Sequence, residues 1–241
     1  MNILHSHGTL DADVQVDAIL YDNNGACVAQ RRAWRIASRH GLARADVAEL
    51  LPDPLSTFKG HIALSFAPEK RAAVPRHLQA LMEYRRSSSV AHVMTWSDEW
   101  NSRISLARRD RSATLLCYRS YFRMLPDSHA ITEFSITNAG HVGYDRTADI
   151  RAVYIGSDGS RMETDFKLLP FATRFTTLSQ LFAAVLSEHQ PVSEGVLLLE
   201  STSDLASIGF TTHPDGRSLA AEHFLWLASE HEGEYLLPAG S

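Results

Sequence analysis

The two halves of this 241-residue chain carry the same order of sequence patterns. Residues 16–25 (VDAILYDNNG) and residues 150–159 (IRAVYIGSDG) each alternate apolar and polar positions and then run into a turn that ends in glycine. Such alternation predicts a half-buried strand, and a glycine in the turn permits a positive φ. We therefore predict that Gly25 and Gly159 occupy equivalent turns.

The match continues beyond these turns. Each half shows a second strand-like run, a short amphipathic helical segment, a strand led by Gly60 or Gly195, and a terminal hairpin. Pro214-Asp215-Gly216 marks the turn of the second hairpin, because proline presets φ and glycine accepts positive φ. Short strands separated by turn residues are typical of β-sandwiches. The sequence predicts a mainly β fold of two tandem antiparallel β-sandwich domains, each with one short crossover helix.

The spacing of the two halves sets the predicted domain boundaries. It is far longer than the roughly 20–50 residues of solenoid repeats and suits two whole domains. We predict a first sandwich at 1–104, a connector with a strand that pairs with the second domain at 105–129, a second sandwich at 130–228 and a C-terminal tail at 229–241.

The composition predicts a globular protein without a membrane span, in a reducing compartment. Hydrophobic residues make up 44% of the chain, enough for a core, and no apolar run approaches the roughly 18 residues of a membrane span. Two cysteines, Cys27 and Cys117, do not suggest a disulfide framework and favour a reducing cytoplasm. Arginine outnumbers lysine 20 to 3, which indicates a GC-rich, bacterial genome.

Charge is divided unevenly along the chain. Residues 1–129 contain 17 Lys and Arg against 13 Asp and Glu, whereas residues 130–241 contain 6 against 15. A basic half and an acidic half suggest mutual docking or head-to-tail association; drift of surface charge is the alternative. The net charge of −5 disfavours nucleic acid as a partner, despite the arginines at 103–111.

Part of the second half carries a family resemblance. The residues are D-R-T-A-D-I at 145–150 entering a strand, Tyr154 within it, Ser157-Asp158 at the turn and A-T-R at 172–174 before the crossover. In these features residues 138–182 resemble the sensory rhodopsin transducers, a family of small β-sandwich proteins, and residues 16–39 show a fainter version. The resemblance implies one compact sandwich per half and an oligomer that binds partner proteins, with DNA or small ligands left open. No functional residue matches the family.

The common catalytic motifs are missing. The chain has no G-x-S-x-G, no phosphate-binding G-x-x-x-x-G-K, no G-x-G-x-x-G, no C-x-x-C and no H-E-x-x-H. Twelve histidines nevertheless make a transition metal a possible cofactor. His5 and His7 are two residues apart, and on a strand such residues share a face. The candidate metal ligands are His5, His7, His77, His92 and His223. For each of them an ordinary hydrogen-bonding role is the alternative.

Ligand-binding candidates cluster near the first hairpin. Trp96 and Trp100 flank Asp98 and Glu99, an arrangement suited to a sugar or a cation. The alternative is that both tryptophans cover the end of a sandwich or a domain interface. Tyr84 is predicted to lie opposite His92 in the hairpin, and Asp204 belongs to a polar run that is able to contact a small molecule.

These patterns favour a non-enzymatic binding protein. It would recognise a partner protein or a small ligand at the ends of the sandwiches or in the inter-domain groove, and a homo-oligomer is expected. The alternative is a histidine-based metalloprotein or metal-dependent enzyme. A third interpretation is a carbohydrate-binding module that uses the tryptophans.

Overall fold

The computed structural model describes residues 2–5, 13–37, 42–53, 58–68, 78–86, 89–97, 118–125, 130–138, 147–186, 193–203, 205–215 and 218–227. The chain divides into two compact units. One comprises Met1–Tyr84 and His92–Ser112, and the other comprises Arg85–Ala91 and Ala113–Ser241.

Seven strands and one 3-10 helix make up what we call the first half. They are β1 (Asn2–His5), β2 (Val14–Asp22), β3 (Cys27–Ala37), β4 (Leu42–Arg44), the 3-10 helix (Val47–Leu50), β5 (Gly60–Pro68), β6 (Leu78–Arg86) and β7 (Ser89–Ser97).

Nine strands and one α-helix make up the second half. They are β8 (Tyr118–Met124), β9 (Ile131–Asn138), β10 (Ala148–Gly156), β11 (Arg161–Leu168), β12 (Thr173–Thr177), α1 (Leu178–Leu181), β13 (Gly195–Ser201), β14 (Leu205–Thr212), β15 (Leu219–His223) and β16 (Leu225–Leu227).

The two halves share one strand order. The first half has sheets β3-β2-β5 and β4-β1-β6-β7, and the second half has the matching sheets β11-β10-β13 and β12-β9-β14-β15. The second half adds β8 and then β16 beside β13. The strand pairs whose register is described are antiparallel; examples are β1 with β4 and β9 with β14. This confirms the mainly β, sandwich-like fold that the sequence predicts.

The core of the second half lies between its two sheets. Three phenylalanines, Phe122, Phe134 and Phe224, meet there edge to face or tilted, with ring centroids 5.2 to 5.7 Å apart. Tyr154 is fully buried, and its hydroxyl donates to the Ser193 carbonyl at 2.7 Å. Burial of large aromatic groups stabilises the sandwich, and the Tyr154 hydroxyl is satisfied without reaching solvent.

The core of the first half is built on alternate residues of β2. Its inward positions Val14, Val16, Ala18 and Leu20 are buried, as the apolar alternation predicts. Trp34 from β3 and Leu50 from the 3-10 helix pack in one cluster with Ala18 and Leu20.

The two predicted glycine turns are equivalent in the structure. Gly25 has a φ of 88° and Gly159 a φ of 84°, so the prediction is confirmed. The Gly25 amide donates to the Asp22 carbonyl at 3.1 Å, and the Gly159 amide donates to the Gly156 carbonyl at 3.0 Å. Glycine adopts this left-handed conformation without the steric cost that a β-carbon brings.

A second pair of glycines marks the start of β5 and β13. A β-carbon on Gly60 would lie 2.0 Å from the Tyr21 carbonyl oxygen, and one on Gly195 would lie 2.5 Å from the Ile155 carbonyl oxygen. Both strands therefore require glycine at the same place, where the neighbouring backbone approaches closely.

The helical segment of each half is very short. Each is a single turn, capped by the side chain of Asp46 in the first half and Thr177 in the second. Thr177 and Gln180 form a reciprocal capping box, which stabilises so short a helix together with the buried Leu181. In the described part of the chain, no helix has the length and apolar character needed to cross a membrane.

Candidate functional site

The clearest difference between the halves is a bulge in β3. Val16 pairs with Arg35 and Ala18 pairs with Arg31, so three residues of β3, from Arg32 to Trp34, lie opposite Asp17 alone. In the second half β10 and β11 pair without interruption over eight positions. There, Asp165 alone takes the place of these three residues. Bulges redirect side chains and are common beside binding and catalytic sites.

The carboxylate of Asp17 holds the bulge in place. The Ala33 amide donates to its Oδ1 at 2.7 Å, and the Gln15 side-chain amide donates to the same oxygen at 2.7 Å. The Ala33 hydrogen bond, followed by the one from Gln15, lowers the pKa of Asp17. Ala33 has a φ of 48°, a left-handed conformation that is uncommon for a residue with a side chain. The backbone at the bulge is therefore strained, and the hydrogen bonds to Asp17 stabilise its conformation.

Arg35 directly follows the bulge and fixes its C-terminal end. Its guanidinium donates to the Trp34 carbonyl at 2.7 Å, to the Arg44 carbonyl at 3.0 Å and to the Glu49 carboxylate at 2.5 Å. It also lies over the Trp34 ring at 5.1 Å. Trp34 itself is buried, and its indole N–H has no hydrogen-bond acceptor in the part of the chain that the structure describes. These contacts tie the bulge to β4 and to the 3-10 helix, so its shape is fixed rather than loose.

Two arginines, Arg31 and Arg32, lie at the N-terminal end of the bulge. Arg31 and Arg32 are exposed, and neither forms a hydrogen bond or ion pair with any described residue. Arg32 contributes only a weak electrostatic attraction to Asp17. Strand β3 also ends its sheet among the described strands. The bulge therefore displays two guanidinium groups that have no partner among the described residues, and such groups suit carboxylate or phosphate oxygens.

Three of the four charged residues on the matching strand of the second half form ion pairs within the described part of the chain. Glu163 pairs with Arg151 and, at 2.6 Å, with Arg161, while Lys167 pairs with Asp149 at 2.8 Å. Arg151 also lies 3.8 Å from the buried carboxylate of Glu200. The pKa of Glu163 is lowered by its hydrogen bonds from Arg151 and Arg161. This face has little unpaired charge to offer a ligand.

A stacked pair lies on the outward face of the first half's three-stranded sheet. The rings of Tyr21 and His61 are 5.2 Å apart and nearly parallel, at 17°. Burial lowers the pKa of His61 to about 4, so this imidazole is neutral at physiological pH. The register of the second half places Ile155 and Val196 at the matching pair. The second half therefore has no titratable side chain at the position that matches His61.

Part of the residue set predicted from the sequence lies outside the described residues. That part comprises Asp98, Glu99, Trp100, Asp204, His7 and His77. Strand β7 contains the backbone of His92 and Trp96, and β1 contains that of His5, while their side chains are not described. The candidate platform formed by the tryptophans stays a prediction.

Two of the predicted residues have described side chains. Tyr84 on β6 is half-buried, and burial raises its pKa to about 12. His223 on β15 pairs with Ile208 of β14. In the described ranges, no three His, Cys, Asp or Glu side chains come together in a way that could hold a metal ion. The pairing of Tyr84 with His92 stays a prediction.

Sequence reasoning missed the bulge, although a signal was present. Residues 31–35 (RRAWR) break the apolar alternation of β3, where the second half keeps its alternation intact at 161–167. The spacing of equivalent residues also falls from 134 at the glycine turns to 131 at the helix caps Asp46 and Thr177. Extra residues in β3 account for that change.

Comparisons with other proteins add little to this geometry. No protein-family model matches the chain, and no curated protein matches it either. The crystal structure of Thermotoga maritima 1070 is 14% identical, with 51% of this chain and 99% of that chain covered and a TM-score of 0.37. A likeness at that level carries no inference about function.

Proposed function

We propose that this chain is a non-enzymatic binding protein whose first half captures an acidic segment of a partner protein at the bulge of β3. The single observation that carries the proposal is that Arg31 and Arg32 are exposed without a partner among the described residues, on a strand whose counterpart has most of its charges paired. Guanidinium groups form charge-assisted hydrogen bonds with carboxylates, and such bonds are about twice as strong as neutral ones.

The position of β3 supports a peptide as the ligand. An edge strand has backbone N–H and C=O groups along one side, and an extended segment is able to lie against them. Val28 and Ile36 on the same strand are large apolar residues that are exposed, by 37% and 54%. An acidic segment with apolar neighbours would therefore find both kinds of contact on β3.

The chemistry of Asp17 supports binding rather than catalysis. A general base works best when its pKa lies near the operating pH. The pKa of Asp17 is lowered by the Ala33 and Gln15 hydrogen bonds, so its carboxylate is a weak base. Its role is to shape the bulge and to keep the two arginines on the surface.

We also propose that the chain is related to the sensory rhodopsin transducers and lies in the cytoplasm. The described residues of that resemblance lie at the start of β10, in the turn after it and before α1, positions that determine the fold. A partner-binding role is what that resemblance implies. A reducing cytoplasm is proposed because Cys27 is an exposed, free thiol.

A labelled acidic peptide tests the proposal. Binding of fluorescein-labelled octaglutamate is measured by anisotropy at low salt for the wild type, R31A/R32A and the control R123A/R161A. Both variants lose two positive charges, but the control arginines are paired with Glu194 and Glu163. We expect R31A/R32A to weaken binding about tenfold, equivalent to about 1.4 kcal/mol, and the control to change it by less than about twofold.

Two results would contradict the proposal. A wild-type protein that does not bind the acidic peptide would remove it. Equal weakening in both double variants would show that net charge, rather than the bulge, attracts the peptide. Raising the salt concentration should reduce wild-type binding, because the contacts are exposed and screened.

A further inference from the structure

The two matched three-stranded sheets end differently. In the second half β13 continues to β8 and then to β16, whereas β5 is the last described strand of its sheet. Strand β8 lies antiparallel to β13 over seven pairs, from Gly195–Met124 to Ser201–Tyr118. Because Gly60 matches Gly195, the equivalent stretch of β5 runs from Gly60 to Phe66. The first half therefore has, beside β5, the position that β8 occupies in the second.

The composition of β5 favours pairing at that position. Residues 60–68 (GHIALSFAP) contain no Lys, Arg, Asp or Glu. Exposed edge strands are usually protected by charge or bulges. Strand β11 is protected by alternating charge and β3 by its bulge and arginines. Strand β5 is long and pairs with β2 without interruption over nine residues, and it has neither form of protection.

Strand β8 is already occupied along both of its sides. It pairs with β13 on one side and with β16 on the other. A second β8 is therefore not available from the same chain to pair with β5. A partner for β5 has to tolerate an uncharged apolar strand, and β5 of another molecule meets that condition. Antiparallel pairing of β5 with itself places no like charges opposite each other.

We propose that β5 is a self-association edge, at which two molecules of this chain pair their β5 strands antiparallel about a two-fold axis. The pairing joins two sheets into the continuous order β3-β2-β5-β5-β2-β3. It is closed, because each molecule uses its one β5 edge and the two-fold axis leaves no further β5 edge open. The opposite edge, β3, stays exposed in this dimer, so self-association and the binding of an acidic segment do not compete.

Concentration-dependent measurements on the full chain test the dimer. Sedimentation velocity gives the dissociation constant, and hydrogen–deuterium exchange locates the protected amides. Ser65 is exposed on β5, so Ser65→Lys adds the charge that edge strands usually carry. Ala220→Lys is the matched control, because Ala220 is an exposed small residue of β15, which ends its own sheet.

The expected result has two parts. The wild type dimerises as its concentration rises, and those amides of β5 that point away from β2 become protected in parallel. Ser65→Lys weakens the dimer by about tenfold or more, while Ala220→Lys leaves it within about twofold of the wild type. Ala63→Lys is the second variant if Ser65→Lys lowers the melting temperature.

Three results would overturn the proposal. They are a wild type that stays monomeric at all concentrations, a dimer that Ser65→Lys and Ala63→Lys leave as tight as Ala220→Lys does, and protection in the monomer of the β5 amides that point away from β2. R31A/R32A should dimerise like the wild type. Loss of acidic-peptide binding with the dimer intact, or the reverse, separates this proposal from the proposed function.

Discussion

Strands β3 and β11 occupy the same place in two sheets of the same order, yet they present opposite surfaces. On β11 neighbouring charges cancel, as in the pairs of Glu163 with Arg151 and Arg161. On β3 a bulge held by Asp17 leaves Arg31 and Arg32 exposed without partners among the described residues. The difference teaches that the shared glycines and buried alternation maintain the fold, while extra residues in one strand change what the surface is able to bind.

The largest expected effect tests what the halves share. Gly60→Ala and Gly195→Ala should each lower the free energy of unfolding by about 3 kcal/mol or more, because each new β-carbon would meet a backbone carbonyl oxygen. Urea unfolding of both variants, read by circular dichroism, measures it. If either substitution leaves the free energy of unfolding unchanged, the two strands are not equivalent at that point.

The next effect tests a difference between the halves. His61 has a folded pKa of about 4, below its ordinary value of 6.5. The unfolded chain therefore binds the proton more readily, and the stability present above about pH 6.5 is lost as the pH falls toward about 4. Over that whole range the loss attributable to His61 is about 3 kcal/mol.

Replacing His61 with the residue at the matched position isolates this effect. His61→Val introduces the side chain of Val196. Between about pH 7.5 and about pH 5 the wild type should lose about 2 kcal/mol more stability than His61→Val, as measured by urea unfolding at each pH. Parallel pH profiles for the two proteins would mean that His61 is not the buried titrating group.

A comparison of similar size concerns two aspartates in the matched region. Asp17→Ala should cost about 1.5–3 kcal/mol, because it removes the acceptor of the Ala33 and Gln15 hydrogen bonds. Asp165→Ala on β11 is exposed and should cost less than about 0.5 kcal/mol. Thermal and urea unfolding of the pair provide the comparison.

A pH series sharpens the result for Asp17. The pKa of this group is lowered on folding, so its contribution is present above its ordinary pKa of 3.8 and is lost as the pH falls through the folded value. The gap between the wild type and Asp17→Ala should narrow in strong acid. A gap that stays constant there would assign the loss to packing instead.

Much of the fold follows from local patterns in the sequence. The alternation of β2 and β10 determines which residues face the core, and the turns at Gly25 and Gly159 need positive φ, so both were predictable. The hairpin boundaries follow from turn residues for the same reason: β14 ends at Thr212, directly before the His213-Pro214 turn.

The register of the first half could not be predicted in the same way. The sequence suggests that residues 37–39 match 172–174, but the strand pairing matches Ala37 with Leu168. A bulge adds residues without adding a turn, so the alternation on each side still looks regular. Only the pairing with β2 shows that Asp17 faces three residues.

The candidate site was harder to predict than the fold. Histidines and tryptophans draw attention because their side chains have specific chemistry, and their strand positions alone do not say what they contact. The role proposed for Arg31 and Arg32 depends on their having no partner among the described residues, and a sequence does not show which charges are paired. Arg161 and Arg31 look alike in the sequence; only the position of Glu163 distinguishes them.

Amide NMR of the labelled protein tests the central contrast most directly. The acidic octaglutamate peptide is added to ¹⁵N-labelled wild type, and the chemical shifts of β3 and β11 are followed together. We expect shifts for residues 30–35, centred on Ala33, and none for the matched residues 163–166 of β11. Shifts that are equal on the two strands, or confined to β11, would contradict it.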